Sequence, residues 1–361
     1  METITVKTST NKYNVTIGTK LRFDTDKFIS KSYSGIFIIS DSNVESLYLQ
    51  DVLTSLQKHQ EVNYTIVPAG ESSKSVRVYF DVITQALQYG LDRHGLIIAL
   101  GGGMVGDLAG FVSSTFMRGI DYIQMPTTIL AHDSSVGGKV AINHPEGKNL
   151  IGNFHPPQAV IYDVETLHTL TQTEIRSGYA EIAKHSLISP KPFWDKISSV
   201  NVKDALSEEV LMDHLLKGIA VKASIVEQDE RESNIRQYLN FGHTLGHALE
   251  AELGYGEITH GEAVGIGMLF AIRVSEYFYD NNNKLPYHEL LTWLRTNQYP
   301  FDLPRLQINK LIDRMKKDKK ARNHNVQMVL LKSVGEPAIE LIDDHNLAIL
   351  LEKFLRELVG Y

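Results

Sequence analysis

The sequence predicts an N-terminal doubly wound α/β domain followed by a mainly α-helical domain. Short apolar runs alternate with helical patterns over the first half, as in a parallel sheet covered by helices on both faces. After Thr171 strand patterns become rare, and long helical periodicities replace them. We place the boundary near residue 170, which gives domains of 1–170 and 171–361.

Continuously apolar segments predict the strands of the first domain, because strands buried on both faces do not alternate. These segments are Gly35–Ser40, Tyr64–Val67, Leu96–Leu100, Tyr122–Met125 and Ala159–Tyr162. A helical pattern, Ser75–Gln88, lies between the second and third of them. The stretch Ala131–Pro157 fits neither pattern. Long irregular stretches inside a domain are usually functional, so we expect this one to contribute to a site.

Helical patterns dominate the second domain. Thr171 and Glu174 have the spacing of a capping box, which predicts a helix start. Further predicted helices are Ser207–Ala223, Leu239–Leu253, Gly261–Tyr279 and Leu285–Asn297. Val326–Leu331 is the one segment of this domain that predicts a strand.

Composition excludes several kinds of site. The chain of 361 residues has no cysteine, which excludes disulfides, iron–sulfur clusters and thiolate zinc sites. A bound metal must therefore use His, Asp or Glu. The net charge of −7 argues against a nucleic acid partner. No apolar run approaches the ~20 residues of a membrane span, so we expect a cytoplasmic protein without a membrane partner.

A glycine-rich segment follows the predicted strand Leu96–Leu100 and precedes a helical pattern. It reads Gly101-Gly102-Gly103-Met104-Val105-Gly106-Asp107, which satisfies G-x-G-x-x-G in the required strand–helix context. Such glycines let the backbone approach a pyrophosphate at a helix N-terminus, as in a Rossmann-like domain. A turn that merely packs the helix on the strand would have the same sequence. The segment also follows a late strand instead of the first.

Two other polar segments follow predicted strands. They are Ser40–Asn43 and Ala69–Lys74, and the carboxyl ends of strands are where such sheets bind ligands. Asp41 suits a helix N-cap equally well.

Histidine spacing in the second domain indicates a metal site. His243 and His247 are four residues apart and share a helix face, His260 opens a later helix, and Glu181 lies in an otherwise apolar helical stretch. Two His and one Glu with an open position is a catalytic zinc arrangement. Spacing alone does not show which of His243 and His247 binds metal. Glu250 and Glu262 are equally eligible carboxylates.

Basic residues stand in polar or glycine-flanked settings along the chain. Convergence on a phosphate or carboxylate would explain them, although each taken singly suits a solvated surface. They are Arg118, Lys139, Lys148, Lys184, Lys222, Arg236 and the pair Lys319-Lys320.

These motifs together resemble the 3-dehydroquinate synthase family, within the sugar-phosphate cyclases. The resemblance runs from about Ser40 to Leu331. It is densest in GGGMVGDLAGF, MPTTILAHDSSVGGKVAIN, GKNLIGNFHPP, GYAEIAKHSLI, LNFGHTLGHALE and THGEAVGIGM. The combination of these six segments in this order is far more specific than any single segment. The resemblance implies a dehydroquinate synthase-like fold.

The resemblance implies roles for individual residues. Glu181, His243 and His260 would bind a divalent metal, normally zinc, with cobalt as a substitute. NAD would be bound by Asp41, Glu71, Lys74, Gly103, Met104, Val105, Gly106, Asp107, Thr127, Thr128, Lys139, Lys148, Thr166, Leu167, His168 and Thr169. Substrate contacts would come from Arg118, Asp133, Lys139, Lys148, Asn149, Lys184, Lys222, Arg236, Asn240, His247 and Lys320, with Lys319 as the alternative to Lys320. Among these, the catalytic set would be His247, Lys139, Arg236, Asn240, Lys184 and Lys222.

The implied reaction converts 3-deoxy-D-arabino-heptulosonate 7-phosphate into 3-dehydroquinate and phosphate, in the shikimate pathway of aromatic amino acid biosynthesis. The enzyme would be a homodimeric carbon–oxygen lyase in which NAD is regenerated within each turnover. The alternatives are another sugar-phosphate cyclase, a metal-dependent polyol dehydrogenase that releases NADH, and a non-catalytic nucleotide-binding protein. Several basic residues argue against an uncharged substrate, and the intact set Glu181, His243 and His260 argues against a non-catalytic chain.

Overall fold

The computed structural model describes residues 1–9, 11–254, 256–280, 284–317 and 325–359. They form two compact units. Unit 1 comprises Met1–Leu170 and Ser207–Arg231, and unit 2 comprises Thr171–Leu206 and Glu232–Tyr361. Among the described residues, no helix combines the length and apolar character needed to cross a membrane.

The strands of the described residues in chain order are β1 (Glu2–Lys7), β2 (Lys12–Gly18), β3 (Ile36–Asp41), β4 (Val62–Val67), β5 (Leu96–Gly101), β6 (Asp121–Pro126), β7 (Lys139–His144), β8 (Gly147–Phe154), β9 (Ala159–Asp163), β10 (Val326–Leu331) and β11 (Pro337–Ile342). The helices are α1 (Gln50–Ser55), α2 (Val76–Gln88), α3 (Gly103–Thr115), α4 (Ala131–Ser134), α5 (Gln172–Leu187), α6 (Lys191–Ser198), α7 (Glu208–Gln228), α8 (His243–Leu253), α9 (His260–Phe278), α10 (Tyr287–Thr296), α11 (Ile308–Lys317) and α12 (Asp344–Val359).

Unit 1 is built on a sheet with the described strand order β1-β2-β9-β6-β5-β3-β4. β1 pairs antiparallel with β2, and the other neighbouring strands of this described sheet run parallel. Along β3, Ile36 and Ile38 belong to one hydrophobic cluster, whereas Phe37 and Ile39 belong to another. Successive side chains point to opposite faces of a strand, so both faces of the sheet carry core. This explains the continuous apolar runs, and the prediction of a doubly wound α/β fold is confirmed.

Two sequence predictions for unit 1 are wrong. Ala131–Pro157 is not irregular, because it contains α4 and the antiparallel hairpin of β7 and β8. Its glycines and polar residues hide the alternation expected of a strand. Residues 207–231, which we placed in the second domain, belong to unit 1, because α7 packs against β1 and β2.

Unit 2 brings α5, α8 and α9 into close contact through glycines. A Cβ on Gly261 would lie 1.8 Å from the backbone oxygen of Ser177, and a Cβ on Gly267 would lie 1.9 Å from that of Gly242. Any larger residue at either position would force the helices apart. The predicted helix Leu239–Leu253 is wrong at its start, because Gly242 has a φ of +81° and α8 begins only at His243.

Side-chain caps fix the starts of α5 and α9. The Thr171 side chain accepts a hydrogen bond from the Glu174 amide at the start of α5. Thr259 and Glu262 form a complete capping box at α9, which places His260 as the first residue of that helix. The predicted strand Val326–Leu331 is confirmed as β10, whereas its partner β11 was not predicted.

Candidate active site

The predicted nucleotide-binding residues of unit 1 follow the carboxyl ends of parallel strands, the usual ligand edge of such a sheet. Asp41 ends β3, and Gly103 follows β5. Glu71 and Lys74 follow β4, Thr127 and Thr128 follow β6, and Thr166, Leu167, His168 and Thr169 follow β9.

The glycine segment joins β5 to the N-terminus of α3. A Cβ on Gly102 would lie 3.0 Å from Cγ2 of Thr128, and a Cβ on Gly103 would lie 3.0 Å from Oγ of Ser134. The backbone therefore approaches its neighbours closely at both glycines. The packing role considered from sequence is therefore present at this helix N-terminus, and the anion-binding role stays a prediction.

Lys74 is the centre of a buried polar cluster in unit 1. Its Nζ lies 2.7 Å from Oδ2 of Asp107, 2.5 Å from Oδ1 of Asn149 and 3.5 Å from Oε1 of Glu71. Glu71 also accepts from Nδ2 of Asn143 at 2.8 Å. Burial lowers the pKa of Lys74, but the carboxylates of Asp107 and Glu71 outweigh burial and hold that pKa above its ordinary value. Burial raises the pKa of Asp107, although Lys74 opposes this.

Asp41 is not the N-cap that was predicted as an alternative, because the N-cap of the short helix Glu45–Leu49 is Val44. Oδ1 of Asp41 accepts from the amides of Asn43 at 2.8 Å and Val44 at 3.2 Å. The turn after β9 is anchored by Tyr48, whose hydroxyl lies 2.6 Å from Oγ1 of Thr169 and donates to the Thr166 carbonyl. Sequence reasoning did not single out Tyr48, because it lies more than 100 residues from its partners.

The predicted substrate residues of unit 1 differ in exposure. Lys222 on α7 is buried, and its Nζ lies 2.9 Å from Oδ2 of Asp133 and also contacts the Asp133 carbonyl. Lys139 at the start of β7 is exposed, and Lys148 is half-buried. Arg118 is exposed, with a φ of 72°, and Asn149 has a φ of 56°. Both are non-glycine residues in the left-handed region, which is strained backbone of the kind found at functional sites.

Unit 2 gathers the predicted metal ligands at the meeting of α5, α8 and α9. Oε1 of the buried Glu181 lies 3.5 Å from Nε2 of His243 and 3.3 Å from Nε2 of His260. The remaining carboxylate oxygen of Glu181 contacts Nζ of Lys184. The donor atoms of His243, His247 and His260 lie within 4.8 Å of one another. Unit 2 therefore concentrates oxygen and imidazole donors at one point.

Hydrogen bonds define which imidazole nitrogens face Glu181. Nδ1 of His243 lies 3.2 Å from the Phe241 carbonyl, and Nδ1 of His260 lies 3.0 Å from Oε2 of Glu250. Both partners can only accept, so each Nδ1 carries a hydrogen. Burial lowers the pKa of His243 to about 3, so its Nε2 presents a lone pair to the Glu181 carboxylate. Burial also lowers the pKa of His260, but hydrogen bonds to Glu181 and Glu250 outweigh it and raise that pKa to about 10.

This donor set fits a divalent metal. Two acceptors, Nε2 of His243 and Oε1 of Glu181, face each other without a hydrogen between them, an arrangement that a cation would stabilise. One glutamate and two imidazoles are suitable zinc ligands. The two Nδ1 atoms are hydrogen-bonded to a carbonyl and a carboxylate, as is usual for metal-ligating histidines.

The three carboxylates left open by the sequence have different partners. Glu181 faces the imidazoles, and Glu250 contacts the far side of His260. Glu262 accepts from the amide and hydroxyl of Thr259, and its other oxygen bonds Arg176. Both carboxylate oxygens of Glu262 are therefore engaged in hydrogen bonds at the start of α9, and Glu262 is not the carboxylate that faces the imidazoles.

The predicted substrate residues of unit 2 lie near the start of α8 and on α5. Lys184 and Arg236 are both almost fully buried, an unusual position for cations. Nδ2 of Asn240 donates to Oε1 of Glu232 at 2.8 Å, and Glu232 has a φ of 58°. The sequence contains no local signal for Glu232. Lys320 and its alternative Lys319 lie outside the described residues.

Comparison with known proteins connects this geometry to a family. The family model described as 3-dehydroquinate synthase N-terminal matches residues 64–177, and that described as 3-dehydroquinate synthase C-terminal matches residues 178–321. A 3-dehydroquinate synthase of Oceanobacillus iheyensis is 52% identical over 359 residues, which is 99% of each chain. One of Bacillus pumilus is 47% identical over 363 residues, again 99% of each chain.

Solved structures share the fold over nearly the whole chain. A 2-deoxy-scyllo-inosose synthase complexed with carbaglucose-6-phosphate, NAD+ and Co2+ is 26% identical with a TM-score of 0.85, covering 99% of both chains. The 2-epi-5-epi-valiolone synthase ValA of Streptomyces hygroscopicus subsp. jinggangensis 5008, with NAD+ and Zn2+ bound, shows the same fold at 23% identity and a TM-score of 0.84, covering 96% of this chain and 97% of the other. The fold is of the dehydroquinate synthase-like class. The chain belongs to the 3-dehydroquinate synthase family.

Proposed function

We propose that this chain converts 3-deoxy-D-arabino-heptulosonate 7-phosphate into 3-dehydroquinate and phosphate. It would act as a carbon–oxygen lyase that depends on NAD and a divalent metal. The observation that carries the proposal is the convergence of Glu181 Oε1 with Nε2 of His243 and Nε2 of His260, in a chain of this family. The named relatives support the reaction, since they match 99% of this chain at about half identity.

The proposed metal ligands are Glu181, His243 and His260. A bound divalent metal would polarise a substrate hydroxyl and the oxygen formed from it. The Co2+ and Zn2+ bound by two structural neighbours support such an ion, without deciding between them. Lys184 lies beside this proposed ligand, with its Nζ in contact with the Glu181 carboxylate.

The proposed NAD-binding residues lie along the carboxyl edge of the sheet in unit 1. NAD would accept a hydride from the substrate and return it within one turnover. The α3 N-terminus would bind the pyrophosphate through its backbone amides, and the Lys74–Asp107 pair would orient the groups beside it. The NAD+ bound in both neighbours supports this use of the fold.

Buried cations provide the proposed contacts to a charged substrate. In unit 2, Lys184 and Arg236 can neutralise carboxylate or phosphate, and Arg can do so with two parallel hydrogen bonds. In unit 1, Lys222 can do the same, held in place by Asp133. His247 adds an imidazole that can hold or move a proton next to His243. The other proposed contacts are Arg118, Lys139, Lys148, Asn149, Asn240 and Lys320.

We propose three further features on the basis of the family resemblance alone. They are a homodimer, a cytoplasmic location, and the division of labour between a nucleotide-binding part, 1–170, and a metal- and substrate-binding part, 171–361. Lys222 lies in unit 1. The proposed substrate contacts Arg118, Asp133, Lys139, Lys148 and Asn149 lie there too, so unit 1 would contribute substrate contacts as well as nucleotide contacts.

Glycerol dehydrogenase-like chemistry is the second candidate. A probable glycerol dehydrogenase of Sinorhizobium meliloti 1021 shares the fold at a TM-score of 0.65 but only 11% identity, covering 96% of both chains. That likeness concerns the fold alone. The buried Lys184 and Arg236 favour an anionic substrate over an uncharged polyol.

A phosphate-release assay tests the proposal. Purified protein should release phosphate from the heptulosonate 7-phosphate and form 3-dehydroquinate. Removal of NAD, or prolonged treatment with a chelator, should abolish both, and added zinc or cobalt should restore them. Glucose 6-phosphate, whose carba analogue is bound by the 2-deoxy-scyllo-inosose synthase, should release none. Full activity in protein shown by elemental analysis to contain no metal would refute the metal requirement.

A further inference from the structure

Glu250 lies on the same face of α8 as the two histidines of that helix. His243, His247 and Glu250 occupy positions i, i+4 and i+7, so their side chains follow one another along one side. Glu250 is almost fully buried, with 3% of its surface exposed. A carboxylate is rarely buried to this extent without a specific partner.

The partner of Glu250 is the imidazole that opens α9. Its Oε2 lies 3.0 Å from Nδ1 of His260. Because a carboxylate accepts, the hydrogen of His260 is held on Nδ1, and Nε2 is directed to Oε1 of Glu181, 3.3 Å away. The ring is thus fixed from both sides, by one carboxylate that would bind the metal and one that would not.

The two proposed imidazole ligands are therefore oriented by unlike groups. His243 uses the neutral carbonyl of Phe241, whereas His260 uses the charged Glu250. A carboxylate on the far nitrogen makes an imidazole a more basic ligand, and loss of such partners typically weakens metal binding about 10–100-fold. The oriented ring of His260 should thus contribute strongly to metal affinity.

We propose that Glu250 is a positioning residue that fixes the tautomer and orientation of His260 and thereby strengthens metal binding at Glu181, His243 and His260. This inference rests on the metal site of the proposed function. Glu250 acts through His260 and contacts the ion only through that ring.

The test is the dissociation constant for zinc and cobalt, measured by competition with a chromogenic chelator. Glu250→Ala should weaken binding about 10–100-fold. Glu250→Gln should weaken it less, because the amide oxygen can still accept from Nδ1 of His260. The matched control is Glu252→Gln, which removes a carboxylate from the same helix, where Glu252 pairs with Arg314 at 2.8 Å. The control should bind metal as the wild type does.

A second readout separates positioning from general stability. In the zinc-loaded wild type, the Nδ1 proton of His260 should be shifted downfield and slow to exchange because it is hydrogen-bonded to Glu250, and Glu250→Ala should lose both properties. If Glu250→Ala does not fold, Glu250→Gln carries the test by the same two measurements. Equal metal affinity in the Glu250 variants and the Glu252→Gln control would overturn the inference. A wild-type protein that binds no metal would instead overturn the metal site of the proposed function.

Discussion

His243 and His247 direct their imidazole rings at each other from one face of α8, with ring centroids 5.2 Å apart and ring planes perpendicular. Nε2 of His243 is 3.5 Å from Oε1 of Glu181. The donor atoms of both histidines also lie within 4.8 Å of those of His260. The distances alone therefore do not show which of His243 and His247 binds the metal. Substitution of each histidine can distinguish them.

We predict that His243→Ala loses metal, because it removes one of three protein ligands. His247→Ala should keep a metal content near that of the wild type, yet lose about 10²–10⁴-fold in rate, since its imidazole would transfer a proton. Elemental analysis and the phosphate assay on purified variants measure the two effects. If His247→Ala loses metal as readily as His243→Ala, the two histidines are joint ligands and His260 is only a helix-start residue.

Lys74→Ala should destabilise unit 1 by about 3 kcal/mol, because it leaves the Asp107 carboxylate buried without its cation. The pKa of Asp107 is already raised by burial, and loss of Lys74 raises it further. A carboxyl group with a raised folded-state pKa destabilises the protein above that pKa. The deficit should therefore be largest at neutral pH and shrink as the pH falls toward the range in which Asp107 becomes protonated.

Denaturant unfolding at several pH values measures this deficit. The control is Lys58→Ala, since the Lys58–Asp26 pair is exposed and should contribute almost nothing. A Lys74→Ala deficit that is constant with pH would show that Asp107 is not the group left uncompensated.

Gly261→Ala should disrupt the junction of α5 and α9, because the added Cβ would lie 1.8 Å from the Ser177 carbonyl oxygen. We expect a loss of about 3 kcal/mol in unfolding free energy and weaker metal binding, as His260 moves away from Glu181. Gly35→Ala is the matched control, since its Cβ would meet ordinary contacts at 3.6 Å. Unchanged stability and metal affinity in Gly261→Ala would show that the helix junction is not tightly constrained.

The sequence predicted those elements whose local pattern follows directly from burial. β3 and β5 are buried at every position, so their apolar runs are continuous. β1 is buried only at Val6, and β2 alternates between exposed and buried positions only over its first four residues, so neither has a continuous apolar run and neither was predicted. The hairpin of β7 and β8 was missed because glycine, asparagine and histidine interrupt its apolar positions.

Only those residues of the candidate site that belong to sequence motifs could be predicted. Spacing on α8 marked His243 and His247, and sequence context marked His260 at a helix start and Glu181 in an apolar helical stretch. The family resemblance then selected Glu181, His243 and His260 as the metal ligands. The partner of Glu250 could not be predicted, because it lies on another helix. The partner of Glu262 was predictable, since Thr259 and Glu262 have the same capping-box spacing as Thr171 and Glu174. Long-range contacts such as Lys74 with Asn149, 75 residues apart, leave no local signal.

The most direct test of the central claim is the balance between phosphate and NADH during turnover. With heptulosonate 7-phosphate, NAD and zinc, phosphate should appear steadily while absorbance at the NADH band stays flat at steady state. The NADH absorbance stays constant if the hydride removed from the substrate is returned to the reaction intermediate before the product leaves the enzyme. Accumulation of NADH in proportion to substrate consumed, without phosphate release, would contradict the account and indicate a polyol dehydrogenase.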